Sequence, residues 1–192
     1  MILAVFRAFD RLVHDRVMNP MFELVQRWFH WNRFQLITRS LQLQWIAYLL
    51  AGIGYFLLIS FTNDINVPTS LISGFLLWTG ISNMFVARHL MPDLHKMSAT
   101  FEEGGSPKPT TQVILRRARA QRLRPMLTAG TAHLVGYSAG LVAVQALTLT
   151  VLCLVFGFAM EMTEAHLWDS KDVDPHSRRS VLEPDGEVQS AH

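Results

Sequence analysis

The chain has 192 residues, half of them hydrophobic and 17% charged, with a net charge of +2 and one cysteine, Cys153. A single cysteine excludes an intrachain disulfide and any multi-cysteine metal cluster, and so small a net charge gives no electrostatic case for a polyanionic partner. The mean hydropathy of +0.22 averages over very unlike segments.

In residues 1–43, apolar side chains fall at positions 2, 5, 6, 9, 12, 13 and 17, with Arg7, Asp10, Arg11, His14 and Asp15 on the other face. This is the i, i+3, i+4, i+7 spacing of an amphipathic helix. Asp10, His14 and Asp15 would suit acid–base chemistry by type, but on this pattern they read as the polar face. The apolar run is interrupted by Arg7, Asp10 and Arg11 and has no basic segment ahead of it, which does not fit a cleaved leader. Asn19-Pro20 should end this helix, because the residue before proline is pushed out of the α region. A second helix should then start with Pro20 in its first turn under an Asn19 cap, and run with little interruption toward the first apolar stretch. It carries RWFHWNRF at residues 27–34. Trp28, Trp31, Arg33 and, further on, Trp45 fit the headgroup region of a bilayer. No nucleic-acid-binding module surrounds them, so no nucleic acid is expected as a partner.

Charge vanishes over residues 40–63, 65–87 and 125–160, stretches of 24, 23 and 36 residues. Crossing a hydrocarbon core of about 30 Å takes roughly 20 helical residues, so each stretch is long enough. The first transmembrane helix is expected at 44–61, a short outer loop at 62–70, and the second transmembrane helix at 71–87. Residues 88–124 read as a basic cytoplasmic loop and helix, broken around 102–111 by Gly-Gly-Ser-Pro and a second proline, with the helix restarting near Thr111. The stretch 125–160 would extend about 54 Å as a helix, too long for one crossing. Two full crossings and a turn would need more residues. One long apolar helix containing a third transmembrane helix, from about Tyr137 to Met160, is the expectation, with a tight re-entrant hairpin as the alternative. Residues 161–192 form an acidic tail of disordered composition. The expected fold class is an all-α integral membrane protein, three transmembrane helices preceded by two amphipathic or interfacial helices.

Lys and Arg number six before the first span, none in the turn after it, eight in residues 88–124 and three in the tail. Short loops rich in Lys and Arg stay cytoplasmic. The N-terminus is therefore expected on the cytoplasmic side, of the inner membrane if the chain is bacterial, and the C-terminus on the opposite side. Arg116, Arg117, Arg119, Arg122 and Arg124 scatter around a helical wheel instead of lining one face. They read as a topology marker attracted to anionic lipid headgroups.

Ala132, Gly136 and Gly140 are four apart and share a helix face, the small-xxx-small pattern of close helix packing. His89, His95 and His133 are the candidate ligands for a haem or metal, but their spacing matches no signature, so no metal and no cofactor are expected. No phosphate loop, HExxH or GxSxG motif occurs, and no catalytic residue is assigned. The expected function is a non-catalytic accessory or scaffold subunit of a larger membrane assembly, such as a secretion or conjugation apparatus. Its partners would be the lipid bilayer and other membrane proteins, or further copies of itself. The alternatives are a small oligomeric transporter or channel, with Gln44, Asn83 and His133 facing a pore, and a histidine-ligated redox protein.

Overall fold

The computed structural model describes residues 2–141 and 148–169. Among them the chain forms six α-helices and no strand: α1 Ile2–Val13, α2 Asn19–Phe29, α3 Arg33–Phe61, α4 Val67–Glu102, α5 Thr111–Leu141 and α6 Thr148–Leu167. Three helical segments are long and apolar enough to cross a membrane: α3, α4 and Leu149–Leu167 of α6. They cover nearly all of the first two uncharged stretches and residues 149–160 of the third.

Local chemistry explains the ends. Asn32 caps α3 by accepting from the Gln35 amide, while the Gln35 side chain accepts from the Asn32 amide; Asn66 and Thr69 form the same reciprocal pair at the start of α4. Each pair satisfies two backbone donors that a helix start leaves open. His30 closes α2 in the left-handed region, at φ 54°. The expected near-continuous passage from the second helix into the first span is therefore corrected to a break at residues 30–32. The expected stop at Asn19-Pro20 is corrected too. Asn19 is helical (φ −61°, ψ −50°), and its amide bonds five residues back to the His14 carbonyl, within a π-helical turn at His14–Met18 that joins α1 to α2. The wider turn just before Pro20 shifts the carbonyls that its ring would otherwise meet. It also keeps Asp10, His14, Met18 and Phe22 directed toward the rest of the chain; all are buried except His14, which is half-buried.

α3 is the central helix. It packs against α4 on one side and α6 on the other, and the backbones of those two do not come close among the described residues. Both pairings are antiparallel. Asn32 Nδ2 donates to Ser98 and Glu102 at one end of the α3–α4 pair, while Gly52 meets Leu77 toward the other. Ser40 reaches the Met160 carbonyl, and Gly54 lies beside Thr150. α5 contacts α6 at points that descend α6 as they ascend α5: Arg124 with Asp169, Thr128 with His166, Gly130 beside Phe158. α5 and α6 thus run antiparallel. The expectation of one long helix over 125–160 is corrected to two helices, and its supposed span from Tyr137 begins instead at the start of α6. The helical part of the presumed tail is a further correction, since α6 continues to Leu167. Its last residues return to the end of the bundle where α1, Asn32 and the 103–110 loop lie. There Asp169 pairs with Arg124, which also holds Asp10. Residues 170–192 lie outside the described residues.

The interior core sits at that same end. Phe34, Ile37 and Leu41 of α3 close on Ala87, Leu90 and Leu94 of α4, with Val113 and Leu127 of α5 and Ala165 and Leu167 of α6. Toward the other end, large apolar side chains point outward instead, among them Phe56, Phe61, Leu71, Phe75 and Trp78. What holds that half together is close backbone approach. A Cβ on Gly52 would stand 2.9 Å from the Leu77 amide nitrogen, and one on Gly80 2.9 Å from that of Leu49. The two glycines admit each other's helix reciprocally, as small residues do where helices lack a hydrophobic drive to associate.

Overpacking such a contact costs about 1–3 kcal/mol. Gly52→Leu or Gly80→Leu should therefore lower the unfolding midpoint in detergent clearly, whereas Gly74→Leu, beside open space, should leave it unchanged. Equal midpoints for all three would show that the α3–α4 pair does not depend on the glycines.

Candidate functional site

α5 presents Val113, Ala120, Leu127, Thr128 and Thr131 inward, all buried, and Arg116 and Arg124 lie on the same side. The arginine cluster therefore divides. Arg117, Arg119 and Arg122 are exposed. Arg116 and Arg124, expected at a headgroup interface, are instead drawn into ion pairs, with 10% and 16% of their side chains exposed.

Arg116 grips the buried Glu164 in a fork: Nε to Oε1 at 2.9 Å and Nη2 to Oε2 at 2.7 Å. Trp168 Nε1 adds a third donor to Oε1 at 3.1 Å. Burial, the largest single influence, would lower the Arg116 pKa, but the charge and hydrogen bonds of Glu164, with Glu161 and Tyr48, together hold the guanidinium above its ordinary value.

The second centre joins α1, α5 and α6. Arg124 donates to Asp10 Oδ2 from Nε at 2.9 Å and also binds Asp169, which Gln121 contacts as well. Thr128 Oγ1 lies 2.8 Å from Asp10 Oδ1 and 3.1 Å from His166 Nε2, and His166 Nδ1 lies 2.9 Å from His14 Nδ1. One proton order satisfies these contacts. Asp10 is ion-paired and accepts, so the Thr128 hydroxyl, which also reaches the Arg124 carbonyl at 2.9 Å, is placed to donate to it. His166 Nε2–H then donates to Thr128, which leaves His166 Nδ1 to accept from His14 Nδ1–H. The two rings stack with centroids 5.1 Å apart. They cannot both be imidazolium while this contact lasts, because each would then point an N–H at the other.

The chain of donors ends on a carboxylate already held by Arg124. These bonds tie α1, α5 and α6 together with the π-helical turn. Among the described residues, no three His, Cys, Asp or Glu side chains converge in a geometry that could hold a metal. The histidines weighed as ligands lie apart. His89 faces a groove between α4 and α5, His95 lies near Trp31 and Gln35, and His133 is exposed on α5, stacked on Tyr137.

Of the remaining residues singled out in the sequence, Trp28 is exposed, Trp31 and Trp45 are half-buried, and Arg39 covers the Trp31 ring. Arg33 lies over Phe34. Ala132 and Gly136 face outward, and among the described residues nothing lies within 4 Å of where a Gly136 side chain would start, so no described helix packs closely there. The side-chain surroundings of position 140 lie outside the described residues. Sequence reasoning missed Glu164, His166, Thr128 and Asp169, and placed Asp10 and His14 on a merely polar face. A usable signal was present: an acidic residue and a histidine, Glu164 and His166, within a helical turn or two of an apolar run's end, with Asp10 and His14 one turn apart on an amphipathic helix.

No known protein family matches the chain, and no curated protein or solved structure does so either.

Removing one partner of a buried ion pair costs about 3–5 kcal/mol, because the other charge is left stranded, whereas replacing both with apolar groups can be neutral. Arg116→Met should thus lower stability to denaturant in detergent by about that amount. Arg116→Met combined with Glu164→Leu should recover most of the loss. A double variant as unstable as the single one would mean that the pair stabilises beyond its own desolvation.

Proposed function

We propose that this chain is a membrane-embedded, non-catalytic accessory or scaffold subunit of a larger membrane assembly. The observation that carries the reading is the direction of its surfaces. α1 and α2 turn Asp10, Met18 and Phe22 inward and leave Val5, Phe6, Phe9, Leu12, Leu24 and Trp28 outward, an apolar face with no partner among the described residues. The distal half of α3 and α4 does the same. Large exposed apolar areas mark membrane or protein contact, and the charge clusters are closed on themselves. For a bacterial chain, a secretion or conjugation apparatus is a fitting home, with other membrane proteins or further copies of this chain on the outward faces.

In this reading α3 crosses the bilayer, α4 returns, and α6 lies in it paired with the uncharged half of α5 at residues 125–141, which is not among the three segments apolar enough to cross alone, the pair forming a re-entrant hairpin. The N-terminal helices, the 103–110 loop and Asp169 then share one side. The weight of Lys and Arg in residues 1–43 and 88–124 makes that side cytoplasmic. The pore and redox alternatives find less support. Gln44 is fully enclosed with neither side-chain polar atom bonded to a described residue, whereas Asn83 is half-buried and His133 exposed on a different helix.

In a Cys153→Ser background, cysteines introduced at Ser106 and Ser180 should both react with an impermeant reagent only from the cytoplasmic side. Reaction from opposite sides would restore an odd number of crossings and remove the hairpin of α5 and α6 from the membrane. For the scaffold role, Gly136→Leu should reduce co-purification with membrane partners, or self-crosslinking, while the unfolding midpoint of the chain stays constant. Unaltered assembly would leave the outward face of α5 without a contact.

A further inference from the structure

Resting on the membrane reading above, we propose that the groove between α4 and α5 is a binding site for one anionic phospholipid, its phosphate held by Arg119, Gln112 and His89. The groove has a volume of about 470 Å³. That suits a headgroup, the glycerol and the first part of an acyl chain, within the range of about 300–1,000 Å³ common for small-molecule sites. Phe85, Val86 and Leu115 give it an apolar wall, and no carboxylate lines it.

Three observations point to this ligand. The first is position. The uncharged stretch that ends at residue 87 contributes Phe85 and Val86, and His89 follows one residue after Arg88. The groove therefore straddles the level at which a membrane changes from chain to headgroup. The second is unused hydrogen-bonding capacity. Arg119, Gln112 and His89 are exposed and make no hydrogen bond or ion pair with a described residue. Gln112 and Arg119 are seven apart, two turns along one face of α5, so both address the same groove. The third is charge. Arg116, which also lines the groove, is committed to Glu164, so its charge is already balanced. The guanidinium of Arg119 is not. A phosphate offers that guanidinium the paired oxygens its fork fits. A zwitterionic headgroup would also bring a cation, for which the lining has no acceptor carboxylate. Basic pockets between membrane helices on the cytoplasmic side are the expected sites for anionic headgroups.

The test is native mass spectrometry of the full chain released from detergent micelles that contain either dioleoyl phosphatidylglycerol or dioleoyl phosphatidylcholine. One phosphatidylglycerol should stay bound per chain, in preference to phosphatidylcholine. Arg119→Gln should reduce that preference about fivefold, the equivalent of about 1 kcal/mol for one basic group near a headgroup. Arg119→Lys should keep part of it. Arg117→Gln removes the same charge from an exposed residue outside the groove and should have no effect. Excess inorganic phosphate should not displace the lipid, since the apolar wall contributes to holding it. Equal retention of the two lipids, an equal loss in Arg117→Gln, or displacement by phosphate would each overturn the proposal. Carbonate extraction of the same protein from membranes separates the two levels: a chain that extracts as water-soluble sinks the membrane reading and this site together. One that stays in the membrane yet shows no lipid preference sinks only this site.

Discussion

An arginine can leave water only if a carboxylate goes with it, and that condition governs how the polar end of this bundle is assembled. Arg116 requires Glu164, and Arg124 requires Asp10 and Asp169. The partners sit on α6 and on α1, so α5 must lie against both. Because α6 also follows α3 antiparallel, its C-terminal end is drawn back to where α3 begins. The opposite directions of α5 and α6 are a consequence of these pairings. Buried ion pairs add little net stability, since desolvation consumes most of what attraction provides. Their contribution here is to specify which helices meet and in what register.

The two ends of the molecule are held by different physics. Near the charge clusters, ordinary apolar side chains close a core that α1, α3, α4, α5 and α6 share. Toward Phe61 and Val67 that core is absent, and the α3–α4 pair relies on contact between backbones at Gly52 and Gly80. A surface dressed with Phe75 and Trp78 is costly in water and inexpensive in hydrocarbon. The same residues would gain nothing from turning inward once lipid surrounds them.

How much of this could be read from sequence follows from the range of each interaction. Apolar stretches free of charge are local facts, and they located α3, α4 and most of α6. The break around residues 102–111 was equally local, carried by its glycines and prolines. The caps at Asn32 and Asn66 were legible in principle, since Asn-x-x-Gln and Asn-x-x-Thr are helix-start patterns, yet attention to Asn19-Pro20 put the boundary in the wrong place. Pairings were not legible. Asp10 and Arg124 are 114 residues apart, Arg116 and Glu164 are 48 apart, and nothing in composition says which carboxylate will meet which guanidinium. The five arginines looked alike on a helical wheel, and only packing separates the two that turn inward from the three that do not. The glycines at 132–140 drew notice for their regular spacing, whereas the pair that admits a neighbouring backbone, Gly52 and Gly80, lies on separate helices and shows no spacing to notice.

The π-helical turn at His14–Met18 carries one residue more than an α-turn would. In a regular helix, positions four apart drift by about 40° per step, so a line from Asp10 to Phe22 would wind about a third of the way around the axis. The extra residue cancels most of that drift. Regularising the turn to α geometry at the same length would rotate α2 out of phase with α1, so that either Asp10 would miss Arg124 or Phe22 would leave the core. Deleting one of its residues would instead keep the phase, since eleven α-helical steps make three turns to within about 20°. The irregularity is thus a phase adjuster: it absorbs one residue without changing the faces that the flanking helices present.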